Sequence, residues 1–388
     1  MFSMSQLADR ALSFPTFHAV SLFKEALALA ASGRSIINMG IGEPDFTAPP
    51  SVVDALARAS RAGLSAYSAP AGIPALREAI ARYYAQHFGA HVDPARVIVT
   101  SGGSGALMLA CAVLVDSGAQ VLLPDPCYPA NGNFIVAAGG RPKQVPTTAA
   151  NRFQMTAQDV REHWGPDTRG VLVASPSNPT GTSIAPDVLA ELLAEVRARR
   201  GYVLMDEIYL GLSYEGRVKS ALTLDDDLVV INSFSKYFHM TGWRLGWMIV
   251  PERMVELIER VGAALAICAP TLAQHAALAC FEPEAMAIYE ERREAFRQRR
   301  DFLVPALEKL GIAVPVRPDG AFYVYADIAG LGQDSVDFAY RLLREAGVSA
   351  LPGADYGPAP HGRHTMRFSY CVGMEALQEA VHRIGRLL

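Results

Sequence analysis

Short apolar runs rich in β-branched residues recur through the middle of the chain, each followed by a turn and a segment with helical spacing. Val97-Ile98-Val99-Thr100, Val121-Leu122-Leu123, Val171-Leu172-Val173, Val203-Leu204-Met205, Leu228 to Ile231 and Trp247 to Val250 read as buried strands. Pro74 opens an amphipathic stretch that closes at Gly89, which matches proline at a helix start and glycine past its end. An apolar helix follows the glycine-rich SGGSG and runs to Asp116. Asp187 to Arg200 sets Val188, Leu189, Leu192, Leu193 and Val196 on one face, with Arg197, Arg199 and Arg200 at the negative end of the helix dipole. Strands alternating with helices from about residue 74 to 251 predict an α/β fold, a mostly parallel sheet sandwiched by helices.

A charged helical stretch, Glu282 to Lys309, separates this region from a C-terminal part. That part mixes strands (Ala321 to Ala326, Met366 to Ser369) with helices (Ser335 to Ala346, Glu375 to Leu388), as a smaller α+β domain would. The expected division is a large domain at 47–285 and a small one built from 1–46 and 286–388. A chain of 388 residues suits two cores better than one.

Composition narrows the function classes. Apolar residues make up 51% and charged ones 19%, which supplies substantial cores and argues against extensive disorder. The 35 basic and 39 acidic residues are interspersed, so no electrostatic case exists for binding nucleic acid. Asp225-Asp226-Asp227 reads as a solvated loop before a strand rather than a metal site, and no metal is expected. Cys111, Cys127, Cys268, Cys280 and Cys371 are odd in number and lack paired metal-ligand spacing, which fits a reducing cytoplasm. The start of the chain has no signal-peptide pattern, and no apolar run reaches the ~20 residues a membrane helix needs.

Candidate chemistry gathers at four strand ends, where ligands of open α/β sheets bind. After Val97–Thr100, Gly102-Gly103-Ser104-Gly105 opens a helix, and backbone amides there can form an anion site. SPSNPTG (175–181) holds Asn178 between two prolines. Asp206-Glu207-Ile208-Tyr209 puts a carboxylate at the tip of a buried strand, where it needs a cation or several hydrogen bonds. Ser233-Phe234-Ser235-Lys236 follows another such strand, with Arg244 eight positions on. Each has a bland reading: a structural turn, an Asx turn, a salt bridge or helix cap, a surface lysine. Together they offer a phosphate cup (Gly103, Ser104, Ser233, Ser235, Arg244), an amine able to form an imine (Lys236) and a carboxylate for a pyridinium (Asp206). Pyridoxal phosphate needs this set.

With these residues in place the chain closely resembles the class I/II pyridoxal-phosphate aminotransferases (aspartate aminotransferase family, fold type I). The resemblance rests on GIGEPDF (40–46), YSAPAGIPALREAI (67–80), TSGGSGAL (100–107), PDPCYP (124–129), SPSNPTG, DEIY, SFSKYFHMTGWRLGW (233–247) and MRFSY (366–370). It implies Lys236 as the catalytic Schiff-base lysine and Asp206 as the pyridinium partner. It also implies Asn178 and Tyr209 at the phenolic oxygen and Tyr128 stacked on the ring. Tyr67 would reach the phosphate of a neighbouring subunit, so a homodimer is implied. Arg367, with the backbone of Ile41 and Gly42, would grip the substrate α-carboxylate, and a guanidinium fork matches a carboxylate as an ammonium cannot. His239 departs from the small residue usual in the family and is expected to be packed and hydrogen-bonded rather than catalytic.

The implied reaction is a ping-pong transfer of an amino group between an L-amino acid and a 2-oxo acid. Another reaction of the same cofactor, such as β-elimination by a C–S lyase, uses the same scaffold, because fold does not set function. A cofactor-sensing regulator is disfavoured, since the first forty residues are too few and insufficiently basic for a DNA-binding domain. Residues 106–115 carry no cation, which tilts substrate choice towards neutral, apolar or aromatic amino acids. Phe14, Phe17 and His18 could close over the pocket, but ordinary packing is the expected role.

Overall fold

The computed structural model describes residues 8–388 apart from 13, 15, 16 and 217. In chain order the strands among them are β1 (Ile37–Asn38), β2 (Val97–Thr100), β3 (Gln120–Asp125), β4 (Arg141–Pro146), β5 (Thr168–Ala174), β6 (Tyr202–Asp206), β7 (Val229–Ser233), β8 (Gly246–Ile249), β9 (Tyr323–Asp327), β10 (Val348–Ser349), β11 (Leu351–Pro352) and β12 (Thr365–Ser369). Seven form one sheet in the order β2-β8-β7-β6-β5-β3-β4. The run from β7 to β4 is parallel, as the alternation predicts. The Trp247 run is the exception, because β8 lies antiparallel to both β2 and β7.

Both faces of this sheet are apolar. Val171, Val173, Val203, Met205 and Val230 enter the core on one side, while Leu172, Leu204, Val229 and Ile231 enter the core on the other. Successive side chains of a strand point to opposite faces, so continuous apolar runs mark strands covered twice. Helices supply the covers. Pro74–Phe88 begins with its proline and ends at Gly89 in the left-handed conformation (φ 68°), as predicted. Pro186–Ala198 stops short of the expected Arg200 and buries Leu189, Leu192, Leu193 and Val196.

One strand of the large sheet escaped the sequence pattern. β4 is an edge strand of composition RPKQVP, with only Val145 buried against neighbours. Two prolines and two cations suit an edge and erase the apolar signal. The segment expected as one helix over Ser335 to Ala346 is α-helical only to Arg341, then widens into a π turn that ends at Gly347.

A three-stranded antiparallel sheet, β11-β12-β9, carries the C-terminal part. The helix Pro283–Lys309 runs between the two sheets. From it Arg299 donates to both oxygens of Asp45 at 2.7 and 2.9 Å, which ties down the segment 40–46.

Candidate active site

Parallel strands of one sheet end on the same side, so the turns after β5, β6 and β7 converge. A cavity of about 700 Å³ opens there. Its lining includes Gly103, Ser104, Tyr128, Asn178, Asp206, Tyr209, Ser233, Ser235, Lys236, Arg244 and Arg367, together with Ile41 and Gly42. Tyr67 is the one predicted site residue that stands apart, 78% exposed on the surface.

At one end lies the start of the helix Gly102–Leu114, whose first turn has no side-chain cap. Its unpaired N–H groups and the helix dipole favour an anion. Gly102 has φ +78°, and a Cβ there would come within 2.6 Å of the Arg244 guanidinium, which lies across the helix start. Arg244 is itself left-handed (φ 55°) and donates to Thr241 O at 2.8 Å. Beside it the hydroxyls of Ser233 and Ser235 sit 2.9 Å apart, and the Ser235 N–H donates to Ser233 Oγ at 3.0 Å.

Asp206 ends β6 and is 6% exposed. Burial pushes its carboxyl up to about 6, opposed by the Ile208 N–H, which donates to Oδ1 at 3.0 Å, and by Lys236. No salt bridge holds it among the described residues, so the salt-bridge reading of this carboxylate fails. The Lys236 ammonium donates to Gly42 O at 2.6 Å, with the rings of Tyr209 and Phe322 5.9 and 5.7 Å away. Burial lowers its pKa to about 8, and the Arg367 and Arg244 cations press the same way.

Arg367 leaves β12 and is buried. One terminal nitrogen donates to Asn178 Oδ1 at 2.9 Å, the other donates to Gly40 O, and Nε is buried without a partner. Tyr323 and Tyr356 flank the guanidinium, with ring centres 4.2 and 5.2 Å from its carbon. Tyr323 also exchanges a hydrogen bond with Tyr209 at 2.9 Å. Neither Tyr323 nor Tyr356 is marked by any local pattern. Phe17, Val20 and Phe23 line the mouth, so Phe17 faces the cavity rather than ordinary packing. Phe14 is exposed, and His18 contributes only a backbone N–H to Asp355 among the bonds described.

One further expectation needs correction. His239 is buried against Phe46, Tyr289 and Phe296, but neither ring nitrogen has a hydrogen-bond partner, and burial with the nearby Arg292 cation holds its pKa down to about 3. It is packed and neutral, not hydrogen-bonded. The triplet Asp225-Asp226-Asp227 lies in a largely exposed loop before β7, as expected, and its members pair with Arg197, Arg96 and Arg253 in turn. Among the described residues no helix is long and apolar enough to cross a membrane.

The family model for aminotransferase class I and II matches residues 34–384. The chain belongs to the class I and II aminotransferases. It is 37% identical over 376 residues to the valine–pyruvate aminotransferase of Mycobacterium tuberculosis, covering 96% of each chain. It is 33% identical to the aspartate aminotransferase of Thermotoga maritima, covering 98% of this chain and 99% of that one. The solved aspartate aminotransferase of Thermus thermophilus with maleate superposes with a TM-score of 0.93 at 34% identity, covering 100% of both chains. The protein is therefore a pyridoxal-phosphate-dependent aminotransferase of fold type I, which moves an amino group between an amino acid and a 2-oxo acid.

Proposed function

We propose that the cavity around Lys236 is the active site of this aminotransferase and that its preferred amino donors carry neutral, apolar side chains. The supporting observation is that, among the described residues, one cavity is lined by just three lysines and arginines, Lys236 after β7, Arg244 at the uncapped helix start and Arg367 on β12. The residues suit pyridoxal phosphate: an uncapped helix start, two hydroxyls and a guanidinium at one end suit a phosphate, and the buried carboxylate of Asp206 suits a ring N–H. When bound, the cofactor supplies an aldehyde that exchanges amino groups and a ring that takes up electrons.

In this reading Gly103, Ser104, Ser233, Ser235 and Arg244 hold the phosphate, and Asp206, ionised at neutral pH, keeps the ring nitrogen protonated. Asn178 and Tyr209 donate to the phenolic oxygen, and Tyr128 covers one face of the ring. Arg367 takes the donor's α-carboxylate, for which its unpaired Nε is available, with the backbone of Ile41 and Gly42 alongside. Lys236 would hold the aldehyde through its amine and would be the base that takes the proton from the donor's Cα. A pKa near 8 leaves a fraction of that amine neutral at physiological pH.

Among the described residues no lining cation then remains for a side-chain carboxylate, while Phe17, Val20, Phe23 and Leu351 present apolar surface. The named activity of the M. tuberculosis relative supports the same preference. Leaving a buried charged group unpaired costs about 1–3 kcal/mol or more. With pyruvate as acceptor, kcat/KM for valine, leucine or phenylalanine should therefore exceed that for aspartate by roughly tenfold or more. Faster turnover of aspartate or glutamate would falsify the substrate assignment.

The proposal includes the division at 47–285 and 1–46 plus 286–388, supported by the large sheet lying within the first and β9-β11-β12 within the second. It includes a cytoplasmic homodimer. The exposed Tyr67 ring and five free cysteines support that view, and a monomer in sedimentation would remove the dimer.

A further inference from the structure

Asp125 ends β3 with its carboxylate buried, and the cofactor and donor roles above leave it unused. Oδ2 accepts the Ala359 N–H at 2.8 Å. Oδ1 is buried without a partner and faces His361 Nε2 at 3.8 Å, which also lacks one. Gly357 packs so closely that any side chain there would collide with the carboxylate. Two residues on, the Cys127 N–H donates to Tyr356 O at 3.0 Å. The end of β3 is thus tied to the loop 353–364 by two hydrogen bonds and a close contact at Gly357.

That loop shapes the donor's half of the cavity. Tyr356 lies against the Arg367 guanidinium. Asp355 accepts the N–H groups of His18 and Ala19 at 3.1 and 2.9 Å, capping the helix His18–Ala31, whose Val20 and Phe23 reach the mouth. A charge is costly to bury, and an oxygen left over after one hydrogen bond adds to that cost. The carboxylate lies outside the cavity lining, and its one strong side-chain bond goes to the loop.

We propose that Asp125 is a positioning residue for the amino donor: its carboxylate seats the loop 353–364, and the loop sets Tyr356 against Arg367 and holds the start of the helix His18–Ala31 over the cavity. This rests on the assignment of Arg367 to the donor carboxylate. The two fail separately: if Arg367 is misassigned, Arg367→Lys leaves the donor KM unchanged, whereas a wrong role for Asp125 spares KM only in the Asp125 variants.

The test is steady-state kinetics on the cofactor-loaded enzyme. Asp125→Ala should raise the donor KM about tenfold or more while kcat at saturation and cofactor absorbance stay within about threefold, since a displaced positioning group acts on binding geometry. Asp125→Asn should restore KM to within about threefold, because its carbonyl can accept the Ala359 N–H and its amide can donate to His361 Nε2. If Asp125→Ala does not fold, Asp355→Ala serves, with the same rise in KM expected from loss of the helix cap. An unchanged KM in the folded variant, a fall in kcat alone, or failure of Asn to rescue overturns the proposal.

Discussion

Lys236→Ala is expected to lose turnover by at least about 10⁴-fold, because the substitution removes both the amine that meets the aldehyde and the base that takes the Cα proton. Base catalysis alone contributes roughly 10²–10⁴-fold, and among the described residues no other amine lines the cavity to replace Nζ. The phosphate-end groups are untouched, so the variant should still retain cofactor in equilibrium dialysis, without covalent attachment. Borohydride should add the cofactor's mass to the peptide carrying residue 236 in the wild type and not in the variant. The pH dependence supplies an independent arm. With an amine pKa near 8, the neutral fraction falls about tenfold per unit below that pH and levels off above it. The rate at which apoenzyme captures the aldehyde should follow the same curve. Activity of the variant within tenfold of wild type, or a capture rate flat from about pH 6 to 9, would refute the role given to Lys236.

The end of the cavity built from the turns after β6 and β7 was largely legible in the sequence, and the lining contributed by Tyr323, Tyr356, Phe17, Val20 and Phe23 was not. Asp206, Ser233 and Lys236 sit at the ends of runs apolar on both faces, and such runs cannot be mistaken for surface. Position after a strand then brings them together, because parallel strands end on one side. Tyr323, Tyr356, Phe17, Val20 and Phe23 come from remote segments, and each looks locally like any core aromatic or aliphatic residue. Only the pairing of β9 with β12, which sets Tyr325 opposite Arg367, brings Tyr323 within reach of the guanidinium. His239 shows the same limit. Its burial could be read from its neighbours, but the lack of a partner for either nitrogen depends on Phe46 and Phe296, far away in the chain. The acidic triplet sits in an exposed loop as its sequence suggests, but its ion pairs were not legible, since Arg96, Arg197 and Arg253 reach it from three separate elements. The edge strand β4 was invisible because an edge does not need apolar alternation.

Arg367→Lys and Arg367→Ala are expected to lower kcat/KM for the amino donor by roughly 30- to 4,000-fold, the equivalent of about 2–5 kcal/mol for truncating one partner of a buried, hydrogen-bonded charge pair. The guanidinium is already fixed on three sides, by Asn178, by Gly40 O and by the rings of Tyr323 and Tyr356, so it meets an incoming carboxylate with little rotamer entropy left to lose. Lysine keeps the charge but cannot make two parallel bonds, and it cannot stack between the rings in the same way. It should therefore recover only part of the loss. Most of the effect should appear in KM, because the α-carboxylate keeps its charge throughout the reaction and is bound alike in ground and transition states. Cofactor retention should remain that of the wild type, since the phosphate-end groups are untouched, while the absorbance should shift modestly because Arg367 donates to Asn178, the side chain assigned to the phenolic oxygen. A sharper readout is the ratio of kcat/KM for an amino acid to that for the amine lacking its carboxyl group. Wild type should strongly favour the amino acid, and Arg367→Ala should collapse that preference. An undiminished ratio in Arg367→Ala would mean that the carboxylate is gripped elsewhere, and Nε would then need another explanation for standing buried and unpaired.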